Sequence, residues 1–439
     1  MGNLKTKTYY ECQNCGAQYS KWQGQCPDCG KWNTIEEIEF IGNNSAAINN
    51  TADIQGVKPI KISEIDYKEH DRTTTGISEF DRVLGGGFVK GQAVLLAGEP
   101  GIGKSTLLLQ VASSCKNNVY YFCGEESPYQ VKQRYNRLKL TKTNITLLEN
   151  GFVETIEPSI SKQNDVLLIV DSVNSLISSK YKSSAGSISQ IKETSQILVR
   201  LAKKLGIPLI LVGQINKEGE IAGPKTLEHL VDSVLILEGD DNHTFRVLRS
   251  LKNRFGSVSE VGLFTMEERG MVQVTNPSEF LLTGKVENAS GSAVSLINEG
   301  TRCYAIEVQA LVNKTVYGYP KRTSNGFSLN RLNLLAAVLT KRTSVNLQDY
   351  DIYLNIASGL KVSEPAIDLA VCMAIASAYK NKPLPKNSAY FGEIGLNGEL
   401  RPVKLEKMRK QEAKNMNIKP LFSPDNYKSL NDVLSGSLK

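Results

Sequence analysis

The stretch GEPGIGKST, residues 98–106, constrains the fold of this 439-residue chain more strongly than its other segments. It follows the apolar run AVLLA and precedes LLLQVASS, so it predicts a strand, a glycine-rich loop and a helix in succession. Gly98, Gly103, Lys104 and Ser105 match the pattern G-x-x-x-x-G-K-[ST]. Such a loop surrounds phosphate groups with backbone N–H groups at a helix N-terminus. The sequence therefore predicts binding of a nucleoside triphosphate.

The segment from residue 59 to residue 275 alternates apolar runs with stretches of helical character. The apolar runs are AVLLAG, NVYYF, NITLL, DVLLIVD, PLILVGQ, SVLILEG and TFRVLRS. They are continuous rather than alternating, which is typical of strands buried on both faces of a sheet. The predicted fold class is therefore α/β, with an open sheet that binds its ligand at the carboxyl ends of the strands.

The glycine-rich loop defines most of the nucleotide-binding residues. Lys104 is expected to reach the β- and γ-phosphates of ATP, and the Ser105 hydroxyl is expected to bind Mg²⁺. Backbone N–H groups of residues 99–105 should surround the phosphates, at the N-terminus of the following helix. The predicted ATP-binding residues are Gly98, Glu99, Pro100, Gly101, Ile102, Gly103, Lys104, Ser105 and Thr106.

Polar side chains follow three of the predicted strands. Asp171 ends DVLLIVD and is the expected Mg²⁺ ligand, directly or through water. Glu125 and Glu126 follow NVYYF, and they are our first and second candidates for the base that activates the attacking water. Gln214 ends PLILVGQ and is the candidate sensor that passes the presence of the γ-phosphate to loop 216–225. Helix capping is the alternative for each of these side chains.

Two C-x-x-C pairs separated by ten residues lie within residues 1–40. Four thiolates from two tight turns form the tetrahedral ligand set that Zn²⁺ favours, and a pair of disulfides is the alternative. The predicted ligands are Cys12, Cys15, Cys26 and Cys29. Four sulfur ligands leave no open position on the metal, so we expect a structural site. Trp22 and Trp32 flank the second pair, and we expect them to cover the site rather than form a contact surface.

Composition narrows the class of protein. No apolar run approaches the roughly 20 residues needed to cross a bilayer. The N-terminus has no apolar signal core, so the sequence predicts a cytoplasmic protein without membrane association. The net charge of +7 permits a polyanionic partner. Residues 41–58 are small and polar and predict a flexible linker, whereas residues 276–439 predict a separate α+β domain.

Residues 301–345 combine cations with aromatic rings. Seven Lys and Arg residues occur there with a single acid, Glu307. Cations that contact phosphates and rings that stack on bases are features of single-strand binding. A solvated charged face over buried aromatic residues is the alternative. The candidate DNA-binding residues of this stretch are Lys314, Lys321, Arg322 and Arg331.

These elements, in this order, resemble the RecA-type recombination ATPases, and more closely the bacterial RadA/Sms family of DNA repair proteins. The resemblance rests on KWQGQCPDCGKWN, TTTGISEFDRVLGGGFVKGQAVLLAGEPGIGKSTLLLQVA, GEES and LKNRFGS. The last of these contains the signature KNRFG, formed here by Lys252, Asn253, Arg254, Phe255 and Gly256. The resemblance covers essentially the whole chain. It implies a four-cysteine zinc finger (1–40), a RecA-like P-loop ATPase core (59–275) and a Lon protease-like domain (276–439).

The resemblance also implies roles for the signature and for the third domain. Lys252 and Arg254 are implied at a subunit boundary of a hexameric ring, where they stabilise charge on the neighbour's γ-phosphate. A basic strand end facing solvent is the alternative. In the Lon-like domain the position of the catalytic serine falls on Ala366, and that of the lysine near Glu406. Ser363 lies nearby and is interpreted as a helix N-cap, so no peptide cleavage is expected.

The implied function is a DNA-dependent ATPase of recombinational DNA repair with helicase activity. We expect a ring that moves along single-stranded DNA and processes branched recombination intermediates, with the RecA recombinase as a partner. Loops 181–190 and 216–225 are expected to line the channel, with Lys182, Lys217 and Lys225 as candidate contacts. The alternatives are an ATP-dependent protease of the Lon type, which the missing nucleophile opposes, and a RecA-like regulatory switch without DNA translocation.

Overall fold

A computed structural model describes residues 6–12, 15–41, 61–64, 72–142, 144–149, 151–160, 165–215, 221–222, 226–239, 245–316, 318–357 and 360–438. The chain forms two compact units. The first comprises Met1–Glu238, Val247–Val258 and Met266–Gln273, and the second comprises Gly239–Arg246, Ser259–Thr265 and Val274–Lys439. Of the predicted linker, only Ile41 lies within the described part of the chain, at the end of a strand.

The N-terminal segment is organised by two tight turns. Its antiparallel strands are β1 (Thr6–Cys12), β2 (Gln18–Tyr19) and β3 (Ile35–Ile41). The Gly16 N–H donates to the Cys12 carbonyl at 2.8 Å, and the Gly30 N–H donates to the Cys26 carbonyl at 2.8 Å. Both glycines have positive φ, 76° and 70°, which an added side chain would strain. Each turn therefore presents its cysteine pair from a defined backbone.

Parallel strands form the centre of the first unit. In chain order the strands after the finger are β4 (Ala93–Gly98), β5 (Asn118–Cys123), β6 (Ile145–Leu148), β7 (Val166–Asp171), β8 (Leu209–Val212), β9 (Gln214–Ile215), β10 (Ile221–Ala222), β11 (Ser233–Gly239), β12 (Phe245–Asn253), β13 (Val261–Glu267) and β14 (Gly270–Gln273). Six of them pair in parallel in the order β11-β4-β8-β7-β5-β6. Their carboxyl ends therefore meet at one edge of the sheet.

Helices cover this sheet. They are α1 (Ser78–Leu84), α2 (Lys104–Ser114), α3 (Pro128–Arg137), α4 (Ile156–Ile160), α5 (Ile188–Leu205) and α6 (Thr226–Leu230). Leu209 and Ile210 of β8 are fully buried, as the continuous apolar run predicts for a strand covered on both faces. Helix α5 packs Leu198 and Ala202 into the same core and ends at Gly206 in the left-handed conformation. The predicted α/β fold class is confirmed.

One predicted strand is interrupted. The run PLILVGQ was interpreted as a single strand ending in Gln214, which is wrong. Strand β8 ends at Val212, and the Gly213 N–H donates to the Leu96 carbonyl at 3.0 Å. Gln214 instead opens β9, which pairs antiparallel with β10 in a separate two-stranded sheet. A glycine inside an apolar run is thus the point where the chain leaves the core sheet.

The second unit has its own mixed sheet. Its strands are β15 (Ser292–Glu299), β16 (Arg302–Lys314), β17 (Arg322–Asn325), β18 (Tyr350–Ile356), β19 (Ala389–Tyr390), β20 (Glu393–Ile394), β21 (Leu400–Arg401) and β22 (Leu421–Phe422). The main order is β15-β16-β18-β17, in which β17 pairs parallel to β18 and the other neighbouring strands are antiparallel. Its helices are α7 (Pro277–Leu281), α8 (Leu329–Arg342), α9 (Asp368–Lys380), α10 (Glu406–Asn415) and α11 (Leu430–Ser437). Helix α8 spans the apolar segment LNRLNLLAAVLTKR, and the α+β prediction is confirmed.

None of the helices in the described ranges is long and apolar enough to span a membrane.

Candidate ATP site, metal centre and KNRFG signature

The glycine-rich loop joins β4 to α2 and tolerates no larger residue at two positions. Gly103 precedes α2 with φ 113°, and a Cβ there would lie 2.4 Å from the Met271 Cε. A Cβ on Gly98 would lie 2.6 Å from the Leu237 carbonyl oxygen. The first turn of α2 therefore points its backbone N–H groups at the edge where the parallel strands end.

Lys104 lies at the mouth of this loop. Its Nζ donates to the carbonyl oxygens of Gly98, at 2.8 Å, and Glu99, at 2.9 Å. Burial lowers the pKa of Lys104, while the nearby carboxylates of Asp171 and Glu125 act in the opposite direction. The ammonium has three donors, so it can exchange carbonyl oxygens for phosphate oxygens without moving far.

Asp171 ends β7 and has two hydroxyl donors. The Tyr121 hydroxyl donates to Asp171 Oδ2 at 2.6 Å, and the Ser105 hydroxyl bonds to the same carboxyl group. Burial raises the pKa of Asp171, and these two hydrogen bonds oppose the shift. A hydroxyl and a carboxylate side by side are the hard oxygen ligands that Mg²⁺ accepts in nucleotide sites. The residues present therefore fit Mg²⁺, with Ser105 and Asp171 as the groups that would hold it.

The two candidate bases have different partners. The Ser172 hydroxyl donates to Glu125, whereas Glu126 forms an ion pair with Arg134 of α3. Neither glutamate caps α3, because Ser127 is its N-cap and forms a capping box. Glu125 therefore remains the first candidate for the base, since its carboxylate accepts the Ser172 hydroxyl and lies near Lys104, whereas Glu126 is ion-paired with Arg134 of the following helix.

These groups line one cavity of about 290 Å³. It brings the glycine-rich loop together with Ser105, Glu125 and Asp171. It also contains two residues that sequence reasoning missed, Arg134 and Arg137 of α3. The available signal was their spacing of three residues on a helix that follows the candidate base, which places both on one helix face.

The KNRFG signature lies at the end of β12, and its cations have partners. The Lys252 Nζ donates to the carbonyl oxygens of Glu228, at 2.6 Å, and Val231, at 2.8 Å, at the carboxyl end of α6. Burial lowers the pKa of Lys252, and the positive charge of Arg254 lowers it further. Arg254 forms a 3.3 Å ion pair with the buried Asp232 and remains half-exposed. Lys252 thus holds a helix end, and Arg254 presents its guanidinium at the surface.

The uncharged residues Asn253 and Gly256 of the signature pack against the carboxyl end of α1. The Asn253 Nδ2 donates to the carbonyl oxygens of Val83, at 3.3 Å, and Leu84, at 3.2 Å, the last residues of α1. Gly256 packs against Gly85, since a Cβ on Gly256 would lie 3.2 Å from the Gly85 Cα. The signature therefore joins the carboxyl ends of α1 and α6, which are far apart in sequence.

Exposed apolar side chains surround the signature. Leu251 is 57% exposed, Phe255 38% and Val258 52%. Three large apolar side chains exposed within eight residues, beside the half-exposed Arg254, have the composition of an interface core.

The four cysteines of the finger form a compact set. They are Cys12, Cys15, Cys26 and Cys29, whose sulfur atoms all lie within 4.8 Å of one another. The Cys12–Cys29 Sγ distance is 3.7 Å and the Cys15–Cys26 distance is 3.5 Å. A tetrahedron with zinc–sulfur distances of about 2.3 Å has edges of about 3.8 Å. The sulfur atoms fit Zn²⁺, and their spacing is far longer than the roughly 2 Å of a disulfide.

The tryptophans do not cover the metal site, so that expectation is wrong. Trp22 is 60% exposed and Trp32 is 67% exposed. The Trp22 Nε1 donates to the Ile35 carbonyl at 3.2 Å, and both rings border Gly24. The hydrophobic packing around the cysteines comes instead from Tyr10, Tyr19 and Ile35 in a small cluster.

The Lon-like domain has no nucleophile at the expected position. Ala366 is fully buried in a short 3-10 helix, and Glu406 is the first residue of α10. The interpretation of Ser363 as an N-cap is wrong, because Glu364 precedes the 3-10 helix and Ser363 is exposed one residue earlier. Glu364 forms an ion pair with the fully buried Arg409 of α10. Ala366 and Glu406 therefore occupy the positions where the resemblance would place the serine and the lysine of a catalytic dyad.

The basic stretch divides into structural and exposed cations. Arg331 forms a forked ion pair with the fully buried Asp368, so it has a structural role in this unit. Lys314 and Lys321 are exposed at the two ends of the β16–β17 connection, and Arg322 is half-buried. Tyr319, in the same connection, is 90% exposed. The exposed members of the stretch are thus the better candidates for DNA contact.

The structure describes only some of the candidate channel residues. Lys182 is exposed in the segment before α5. Lys217 and Lys225 lie outside the described residues, as does most of loop 216–225. Gln214 is described by its backbone in β9 alone.

Three known families match segments of this chain. The rubredoxin metal binding domain family matches residues 10–37. The KaiC family of ATPases matches residues 73–151, and the family of subunit ChlI of Mg-chelatase matches residues 327–426. The first two matches agree with the cysteine finger and the RecA-like core.

Full-length relatives extend this finding. The DNA repair protein RadA of Bacillus subtilis (strain 168) is 44% identical over 96% of this chain and 93% of its own length. That of Aquifex aeolicus (strain VF5) is 42% identical over 98% and 96%. The crystal structure of the RadB recombinase is similar over 46% of this chain and 99% of its own, with 24% identity and a TM-score of 0.38. With more than two-fifths of its residues shared over nearly the full length of these relatives, the chain belongs to the RadA family of DNA repair proteins.

Proposed function

We propose that this chain is a DNA-dependent ATPase that works as a ring-forming motor in recombinational DNA repair. The observation that carries the proposal is the convergence of Lys104, Asp171 and Glu125 on one cavity. The four-segment division into finger (1–40), linker (41–58), ATPase (59–275) and Lon-like domain (276–439) is part of the proposal. The finger is a structural zinc module, and the protein is cytoplasmic.

Hydrolysis follows from the placement of these groups. Lys104 and the loop N–H groups bind the β- and γ-phosphates, while Ser105 and Asp171 would hold Mg²⁺. The metal, when bound, supplies charge that neutralises the phosphate oxygens. Glu125, oriented by the Ser172 hydroxyl, accepts a proton from the attacking water. Glu126 stays ion-paired with Arg134 before nucleotide binds.

A neighbouring subunit completes the site. Arg254 is half-exposed, is oriented by Asp232 and is bordered by exposed apolar side chains, so we assign it as the cation that acts in trans on the neighbour's γ-phosphate. Lys252 contributes by holding α6, which directly follows loop 216–225. A hexamer is the assembly that this arrangement implies for the family.

We further propose that single-stranded DNA runs through the ring and that branched recombination intermediates are its substrates. Lys182, Lys217 and Lys225 are candidate contacts in the channel, and Lys314 and Lys321 are candidates on the Lon-like domain. Helicase activity and cooperation with the RecA recombinase belong to this proposal. The Lon-like domain is a DNA platform without protease activity, since Ala366 replaces the nucleophile.

Steady-state ATP hydrolysis with and without single-stranded DNA, at two salt concentrations, tests the proposal. Phosphate contacts by lysines predict stimulation by DNA that fades as salt increases. Turnover that is indifferent to DNA at both concentrations would instead favour a regulatory ATPase switch without translocation.

The interface role has its own test. Arg254→Ala and Lys252→Ala should abolish DNA-stimulated turnover and translocation while the ring still assembles, as measured by light scattering. Adding the inactive Lys104→Ala chain to an Arg254→Ala ring should restore some turnover, because the Lys104→Ala subunit supplies an intact Arg254 to its neighbour. Full activity of the Arg254→Ala protein alone would remove the trans role.

A further inference from the structure

Two arginines of α3 face the ATP cavity and are not part of the glycine-rich loop or the KNRFG signature. Arg134 and Arg137 lie three residues apart on a helix whose start is fixed by the Ser127 capping box. Both line the cavity that contains Lys104 and Asp171. A role for them follows from the charges that they meet there.

The cavity lining is balanced in charge. It contains the carboxylates Glu125, Glu126 and Asp171 and the cations Lys104, Arg134 and Arg137. The Arg134 guanidinium forms an ion pair with Glu126. The Arg134 side chain is 23% exposed and the Glu126 side chain is 34% exposed. Both side chains line the cavity, so an anion that enters it can reach the pair. A triphosphate entering the cavity brings several negative charges and competes with Glu126 for Arg134.

Arg137 occupies a different position along the nucleotide. A second cavity of about 1010 Å³ adjoins the first, and the two share Thr106 and Arg137. Its other walls are Leu138, Met266 and the turn at residues 267–270. Phosphates bound at residues 98–105 would direct the nucleoside past Thr106 into the second cavity. Arg137 would then lie at the junction between phosphate and nucleoside.

We propose that Arg134 and Arg137 bind ATP in cis, Arg134 by exchanging Glu126 for oxygens of the terminal phosphates, and Arg137 at the nucleoside end of the phosphate chain. A guanidinium is suited to both tasks because it contacts two phosphate oxygens at once. The inference rests on the proposed ATPase function and specifies which side chains of the subunit's own cavity recognise the nucleotide.

Equilibrium binding of ADP and of the slowly hydrolysed analogue ATPγS to the full-length protein tests this proposal. Arg134→Gln should raise the Kd of ATPγS about ten-fold to a hundred-fold and change the Kd of ADP less. Arg137→Gln should raise both dissociation constants together. Arg200→Gln is the matched control, because Arg200 is exposed on α5 and donates within its own helix.

A different result is expected if Arg134 only neutralises Glu126 and does not contact phosphate. In that case the double variant Glu126→Gln/Arg134→Gln, which removes both charges, would bind ATPγS as the parent does, and this would overturn the proposal. Persistent loss in the double variant supports direct phosphate contact. If the parent binds ATPγS but does not hydrolyse ATP, the proposed function fails while this inference stands, because its readout is binding.

Discussion

Replacing Arg331 by methionine should destabilise the second unit strongly, although Arg331 lies in a stretch with the composition of a DNA-binding surface. Its Nε donates to Asp368 Oδ1 at 3.1 Å, and its Nη2 binds the other carboxylate oxygen. The Asp368 side chain is fully buried at the start of α9. Apart from Arg331, its contact in the described residues is the Ile394 N–H at 3.3 Å. Arg331→Met therefore leaves a buried carboxylate with one weak donor.

The expected loss follows from this burial. Breaking a buried pair by removing one partner costs about 3–5 kcal/mol, because the remaining charge is uncompensated. For a unit of this size each kcal/mol lowers the Tm by roughly 2–4 °C, so the Tm of the second unit should fall by about 6–20 °C. Differential scanning calorimetry measures this shift directly.

The pH dependence provides an independent check. Burial raises the pKa of Asp368, and Arg331 opposes that shift. Without Arg331 the pKa rises further above its unfolded value of about 3.9. A folded-state pKa that is raised gives stability that is lost as the pH increases, so the deficit of Arg331→Met should be larger at pH 7 than at pH 5.

Controls separate the ion pair from general effects. Arg331→Met/Asp368→Asn should recover much of the lost stability, because no buried charge remains. Lys321→Met removes an exposed cation of the same stretch and should leave the Tm unchanged while weakening DNA binding. A parent-like Tm for Arg331→Met, or a deficit that grows toward pH 5, would refute the reasoning.

Three further predictions concern the other sites. Tyr121→Phe removes a donor from Asp171 and should slow ATP turnover at least ten-fold without unfolding the chain, since hydrogen bonds to charged groups contribute about 1.5–3 kcal/mol; an unchanged kcat across a Mg²⁺ titration would contradict it. Cys26→Ala should lose the single zinc per chain by elemental analysis, whereas Trp32→Ala should retain it because the ring is exposed; zinc loss in both variants would restore a covering role. The parent chain should leave casein uncleaved. Cleavage that persists in the Ser363→Ala variant would contradict this prediction and would indicate a nucleophile other than Ser363.

Local patterns predicted much of the fold for definite physical reasons. Continuous apolar runs can be strands only when both faces are covered, so they identified the parallel core around β8. The apolar helical period of α8 and its basic last turn, Lys341 and Arg342, are likewise local features that favour a helix. The strand containing Gln214 was predicted wrongly, because the effect of Gly213 depends on a hydrogen bond to Leu96 in a different strand. The exposure of Trp22 and Trp32 was missed because side-chain burial depends on neighbours that sequence spacing does not specify.

The sequence by itself determined which chemistry is available. The glycine-rich loop, the acid at the end of an apolar run and the two C-x-x-C pairs are local, and their spacing already defines phosphate, magnesium and zinc sites. Only the tertiary structure decided how the remaining charges are used. It paired Arg331 with Asp368 and Lys252 with α6, both through contacts between residues far apart in the chain, and it paired Glu126 with Arg134 of the following helix. Pairings of this kind depend on distances and burial in the folded chain, which a linear pattern cannot encode.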